Sequence, residues 1–276
     1  MRKEKVRETD YQQSERPNTR LAQFFDLGKH RFVELLKLSI LQAVFNMPLV
    51  ATLITFYLFL RSATTLNSTM TVFLITGALL FVCMISSFTG LTGLFYCLKK
   101  MIYAEGEYAS SDFFNGLVQN WKKGIVIGAL VGLSVSLTVI GSFFFIYYLS
   151  AYNTVVAGFG IAILVVQALV VLIIAYYSIA QIVLYENNLK YVIKNSFIFT
   201  LMRFQYNLPL FILHPGIIIA LMVIMEITMY VAVALIIIFI AFGALIWSLN
   251  CISAFDKFIN KENYPEHYRK GLNKEA

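Results

Sequence analysis

Charge is what this sequence has least of. Only 13% of its residues are Asp, Glu, Lys or Arg, against about 25% in water-soluble domains. That scarcity excludes an ordinary chain whose whole surface faces water. Cysteine is also rare: Cys83, Cys97 and Cys251 lie within or at the edge of apolar runs, without metal-type spacing. They read as buried thiols that fill space. No G-x-x-x-x-G-K-[ST], H-E-x-x-H or paired-Cys motif occurs, so we expect no cofactor, no metal and no enzyme. Acid pairs inside the apolar segments, a common source of ion coupling, are missing too. No secretory signal is expected, because the first apolar run begins near Leu38 after a long polar lead.

What fills the chain instead is hydrocarbon. Hydrophobic residues make up 59%, and the mean hydropathy is +0.74. Several apolar runs exceed the roughly 20 residues that cross a bilayer core. Lipid offers backbone groups no partner, so such runs must be helical. The expected fold is an all-α integral membrane protein: a six-span bundle with short amphipathic cytoplasmic helices before its hairpins. The spans are read at 38–60, 71–98, 124–149, 155–184, 208–226 and 229–252, within a membrane domain at 21–255. A disordered tail is expected at 1–20 and a second cytoplasmic tail at 256–276. The last block, Leu208 to Ile252, would be about 68 Å long as one helix, far beyond a bilayer. It is therefore split near Glu226 to Tyr230, although no Gly or Pro marks a turn there.

The formal charge of +7 does not point to nucleic acid. Lys and Arg flank the apolar runs, as topology signals do. Of all of them, only Arg61 falls in a loop on the side opposite the rest. The positive-inside rule thus puts both termini in the cytoplasm. The opposite loops are too short to hold a folded domain.

Three stretches share an organisation: "RFVELLKLSILQAVF", "DFFNGLVQNWKKGIVI" and "NSFIFTLMRFQYNLPLFI". Each is Phe-rich and basic and leads into a membrane hairpin, with Phe32, Phe114 and Phe197 at nearly equal separations. A threefold hairpin repeat would produce this. So would any three-hairpin protein with positive inner loops.

Within the second stretch, Ser110, Ser111 or Asp112 suits a helix N-cap. Phe113, Phe114, Leu117, Val118 and Trp121 fall on one helical face. Trp121 suits headgroup level, and Lys122 and Lys123 can extend to water. We read an interfacial helix, or a partner-docking helix, that bends into span three at Gly124.

The region Phe88 to Gly124, "FTGLTGLFYCLKKMIYAEGEYASSDFFNGLVQNWKKG", resembles the signature region of the YesL-like family of bacterial integral membrane proteins, a domain of unknown function. The shared pattern is a small-residue-rich helix end, an aromatic and basic stretch, an acidic "GE", and a Phe-Phe…Asn-Trp-Lys helix. Pro48 late in span one also fits, whereas Leu91 stands where the family often has Pro. The resemblance implies a bacterial inner-membrane protein associated with carbohydrate uptake and utilisation. It carries over no catalytic residues.

Gly128 and Gly132 form G-x-x-x-G, which permits close helix approach, and Gly90 and Gly93 read the same way. Gln42 and Asn46, Gln167 and His214 are polar groups inside apolar runs. Such groups line polar cavities, or pair with one another and with carbonyls freed by Pro48 and Pro215. Glu226 is the carboxylate of the last apolar block and is read at the outer turn. Two functions follow. One is a non-enzymatic accessory or regulator of carbohydrate uptake, whose partners are the bilayer and transporter subunits or further copies of itself. The other is a small-molecule transporter or channel with a site at Gln42, Asn46, Gln167 and His214. A membrane enzyme would need convergent ionisable groups such as Glu105, Glu107 and Asp112.

Overall fold

The computed structural model describes residues 16–106, 108–185, 187–211 and 229–273. His214, Pro215, Glu226, Glu107 and most of the expected fifth span lie outside the described residues. The chain runs through α1 (Arg20–His30), α2 (Phe32–Ser62), α3 (Leu66–Ile102), α4 (Ala109–Phe144), α5 (Thr154–Leu184), α6 (Leu189–Met202), α7 (Phe204–Phe211) and α8 (Met229–Phe255). No strand occurs among the described residues. A π-helical turn at Phe145–Leu149 extends α4, and another at Asp256–Asn260 extends α8.

Among the described residues, five helices are long and apolar enough to cross a membrane: α2, α3, α4 with its extension, α5, and Ile240–Asn263 in α8 and its continuation. Their first and last turns are set by local chemistry. Thr65 caps α3 through a reciprocal capping box with Ser68. Asn153 caps α5 by accepting from the Val156 N–H. α3 has 37 residues, which makes it about 55 Å long against a hydrocarbon core of about 30 Å. Lys99 and Lys100 lie in its last turn, beside the start of α4.

One expectation is corrected here. The stretch from Ser110 to Gly124 is not a separate helix that bends at Gly124. α4 runs unbroken from Ala109, and Gly124 lies against Thr92 and Thr89 of α3. The apolar face persists into the span, so nothing in the sequence stops the helix. The three similar stretches also differ: Phe32 opens α2, Phe114 sits early in α4, and Phe197 belongs to α6, which ends before Arg203.

Pro48 lies inside α2 without ending it. It removes the N–H that would bond the Val44 carbonyl. The Ser86 hydroxyl of α3 reaches the neighbouring Phe45 carbonyl at 3.1 Å, tying the weakened segment to its neighbour.

Candidate functional site

The described structure gathers most of its charged side chains, with a cluster of aromatic rings, at one end of the bundle. This is the basic end, opposite Arg61 at the end of α2. Four segments meet there: α1, the residues after α3, the end of α5, and the chain beyond α8.

α1 starts with Thr19, whose hydroxyl accepts from the Ala22 N–H. That start directs Arg20 and Gln23 inward. The Gln23 amide donates to the carbonyls of Ile102 (2.7 Å) and Gly271 (3.3 Å). It thereby satisfies one carbonyl left open at the end of α3. Arg20 pairs with Asp256 at 2.7 Å and also donates to the Lys270 carbonyl. Both side chains of the ion pair are nearly buried, 10% and 11% exposed. The π turn brings Asp256 and Asn260 inward together. The Asn260 amide donates to Asp256 (2.8 Å), while its oxygen accepts from the Tyr185 hydroxyl (2.5 Å).

The chain beyond α8 then folds back over this centre. His267 stacks on Tyr103, with centroids 5.7 Å apart and planes at 17°. Tyr185 and Tyr264 pack beside them. Lys270 lies over the Tyr103 ring at 5.0 Å and pairs with Glu105 at 2.7 Å. Ala104 (φ 53°), Arg269 (φ 51°) and Gly271 (φ 83°) are the positive-φ residues in the described chain. All lie at this junction. At Gly271 a side chain would run into the Ile102 carbonyl, so glycine is required for the approach. The Tyr103 hydroxyl and His267 Nδ1 are buried and find no hydrogen-bond partner among the described residues. Burial raises the Tyr103 and Tyr185 phenols above their ordinary range. Burial also lowers the His267 imidazole below its usual 6.5; Glu266 opposes this, and Lys270 and Lys99 add to it.

The sequence-predicted residues fall elsewhere. Phe113 is fully buried and meets Phe45 of α2, whereas Phe114, Val118 and Trp121 are exposed on the outer side of α4. Leu117 is half-buried against the core. Lys122 lies over Trp121 (5.7 Å) and Lys123 donates to the Asn187 carbonyl (3.2 Å). The proposed apolar face is thus divided between bundle and exterior. Asp112 pairs with Lys100 at 2.9 Å and accepts from the Tyr108 N–H.

The intramembrane amides do not form one site. Gln42 donates to Asn46 (3.1 Å) and to the Ser87 carbonyl (3.0 Å), and the Ser87 hydroxyl donates to Asn46 (2.6 Å). Gln167 donates to Ser134 at 2.7 Å, bridging α5 to α4. It also lines an apolar groove of about 340 Å³ with Phe159, Ala162, Ile163 and Val166. Gly90 meets Phe45 and Gln42 of α2, while Gly93, Gly128 and Gly132 meet the neighbouring helix of the α3–α4 pair.

No protein-family model, curated protein or solved structure matches this chain.

Arg20, Tyr103, Tyr185, Asp256, His267 and Lys270 were not singled out by their sequence. The available signal was "NYPEHYRKG", an aromatic, Pro- and Gly-marked segment in what otherwise reads as a polar tail. Among the described residues no group of three or more His, Cys, Asp or Glu could hold a metal ion. At this centre Arg20 is paired with Asp256 and Lys270 with Glu105.

Proposed function

We propose that this is a non-enzymatic multi-pass membrane protein, an accessory or regulator of a membrane transport system acting through its basic end. The carrying observation is the separation of the amides. Gln42 and Asn46 bond Ser87 between α2 and α3, and Gln167 bonds Ser134 between α5 and α4. A transport pathway instead calls for polar groups converging on one hydrated cavity near the midplane. The resemblance to the YesL-like family makes carbohydrate uptake the system to test, and a bacterial inner membrane the location. The grouping of Arg20, Lys99, Lys100, Lys123 and Lys270 at the end away from Arg61 supports cytoplasmic termini.

The experiment is deletion of the gene combined with crosslinking in native membranes. The expected result is reduced sugar uptake and crosslinks from the basic end to a transporter subunit. Unchanged uptake with no such crosslink would sink the proposal. The transporter reading predicts uptake by the purified, reconstituted protein that Gln42→Leu abolishes at unchanged protein level. Reporter fusions test the orientation; an external C-terminus would overturn it.

A further inference from the structure

We propose that Tyr264–Asn273 forms a latch over the basic end of the bundle, held by the stack of His267 on Tyr103 and opened when His267 takes up a proton. The inference concerns the protein alone and stands whether or not the accessory role is correct.

The segment is bound at many points rather than by one helix. The Gly271 carbonyl accepts from Gln23, and the Lys270 carbonyl from Arg20. The Arg269 N–H donates to Asp256, and the Asn273 N–H to the Pro17 carbonyl. Leu272 is buried. These contacts tie the segment to α1 and to the π turn after α8, and Lys270 ties it to Glu105 beyond α3.

His267 is the member whose charge changes near neutrality. The groups facing it come from every neighbouring element: Tyr103, Lys99 and Glu105 from the α3 side, Tyr185 from α5, and Tyr264, Glu266 and Lys270 from its own segment. Glu266 is the nearest carboxylate, at 3.8 Å, and is 62% exposed, so solvent weakens its hold on an imidazolium. Glu105 is already paired with Lys270. A proton on His267 therefore adds a cation within the electrostatic reach of Lys99 and Lys270, with one ring nitrogen buried and unpartnered.

The sign follows from linkage. The docked imidazole titrates below 6.5 and the released one near 6.5. Docking is complete above that pH, where both forms are neutral. It weakens as pH falls through the docked value, because the released segment binds the proton more readily.

The test is hydrogen exchange of the backbone amides of residues 264–273 in the full-length protein in nanodiscs, corrected for intrinsic rates. Between pH 7.5 and 5.0 the wild type should exchange at least about fivefold faster. His267→Phe keeps a ring to stack but binds no proton, and should stay protected at both pH values. Glu266→Gln should respond as the wild type does. A wild type with no pH response overturns the latch, as does a His267→Phe variant that responds equally. If His267→Phe does not dock at pH 7.5, the NMR titration of His267 in the wild type decides. A midpoint below 6.5 that tracks the change in exchange supports the latch, and a midpoint at or above 6.5 refutes it.

Discussion

The α3–α4 pair and the group formed by α5, α6, α7 and α8 differ in the contact that dominates between their helices. α3 and α4 touch backbone to backbone. A Cβ on Gly128 would lie 2.7 Å from the Ile85 Cα, one on Gly132 2.7 Å from the Phe81 carbonyl oxygen, and one on Gly93 2.5 Å from the Phe113 carbonyl oxygen. The other group is joined by side chains. Tyr177 donates to Asn207 (3.0 Å), and the Asn250 amide donates to both Asn207 (3.0 Å) and Tyr177 (3.3 Å). One helical turn nearer the basic end, Gln181 and Ser178 meet Ser196 at 2.7 and 3.0 Å. Lipid is as apolar as a leucine side chain, so burying apolar surface gives membrane helices little reason to associate. Close packing and interhelical hydrogen bonds are the remaining means. The α3–α4 pair adds Ser136 to the Gly77 carbonyl and Lys100 to Asp112 to its close approach, and the other group leans on side-chain hydrogen bonds.

The comparison breaks most visibly at the glycines. Gly128→Val places two further carbons against the Ile85 backbone, which has no rotamer with which to yield. Overpacking a core costs about 1–3 kcal/mol when side chains can adjust. A backbone contact belongs at or above the upper end of that range. Unfolding in detergent should show a loss of about 3 kcal/mol or more, and a stability within about 0.5 kcal/mol of wild type would mean that the close approach is not real. Asp256→Ala comes next. It leaves Arg20 nearly buried without its carboxylate, and breaking a buried pair in this way costs about 3 kcal/mol. The loss should appear as exposure of the junction, read by faster exchange in α1 and residues 264–273. Asp256→Ala with unchanged exchange in both would contradict the junction.

How far the sequence announces these features depends on their range. Long apolar runs and flanking lysines are local signals, so the expected spans at 38–60, 71–98, 124–149 and 155–184 fall inside α2, α3, α4 with its extension, and α5. The helix ends were harder to read. Continuing an amphipathic face straight into a span changes no residue type, so the start of α4 at Ala109 was hidden behind the Trp121-Lys122-Lys123 headgroup signature. Gly128 and Gly132 were visible by their spacing, yet Gly116, whose missing side chain admits Tyr96, shows no motif by itself. The junction was least legible. It is made by Arg20 with Asp256 and by Tyr103 with His267, residues far apart in the chain whose pairing only the folded path determines. Composition records that the partners exist and says nothing about which meet.

The polar side of the comparison predicts smaller numbers. Tyr177→Phe removes the hydroxyl between Asn207 and Asn250 while keeping the ring beside Phe199 and Phe255. Interhelical hydrogen bonds in membranes contribute about 0.6 kcal/mol on average and about 1.7 at most. A cycle of Tyr177→Phe with Asn207→Ala should give a coupling in that range, measured by denaturant unfolding. A coupling indistinguishable from zero would leave α5 and α7 joined by packing alone.

The smallest effect has the opposite sign and tests whether position or residue type governs the glycines. Gly158 of α5 has nothing within 4 Å of where its Cβ would stand. Ala there meets no backbone and restricts the unfolded chain, which stabilises a helix by up to about 1 kcal/mol relative to Gly. Gly158→Ala should therefore be neutral or slightly stabilising in the unfolding assay in which Gly128→Ala is destabilising. If both substitutions lower stability equally, a general need for glycine in these helices explains the data. If they diverge, the cost at Gly128 belongs to the Ile85 backbone opposite it.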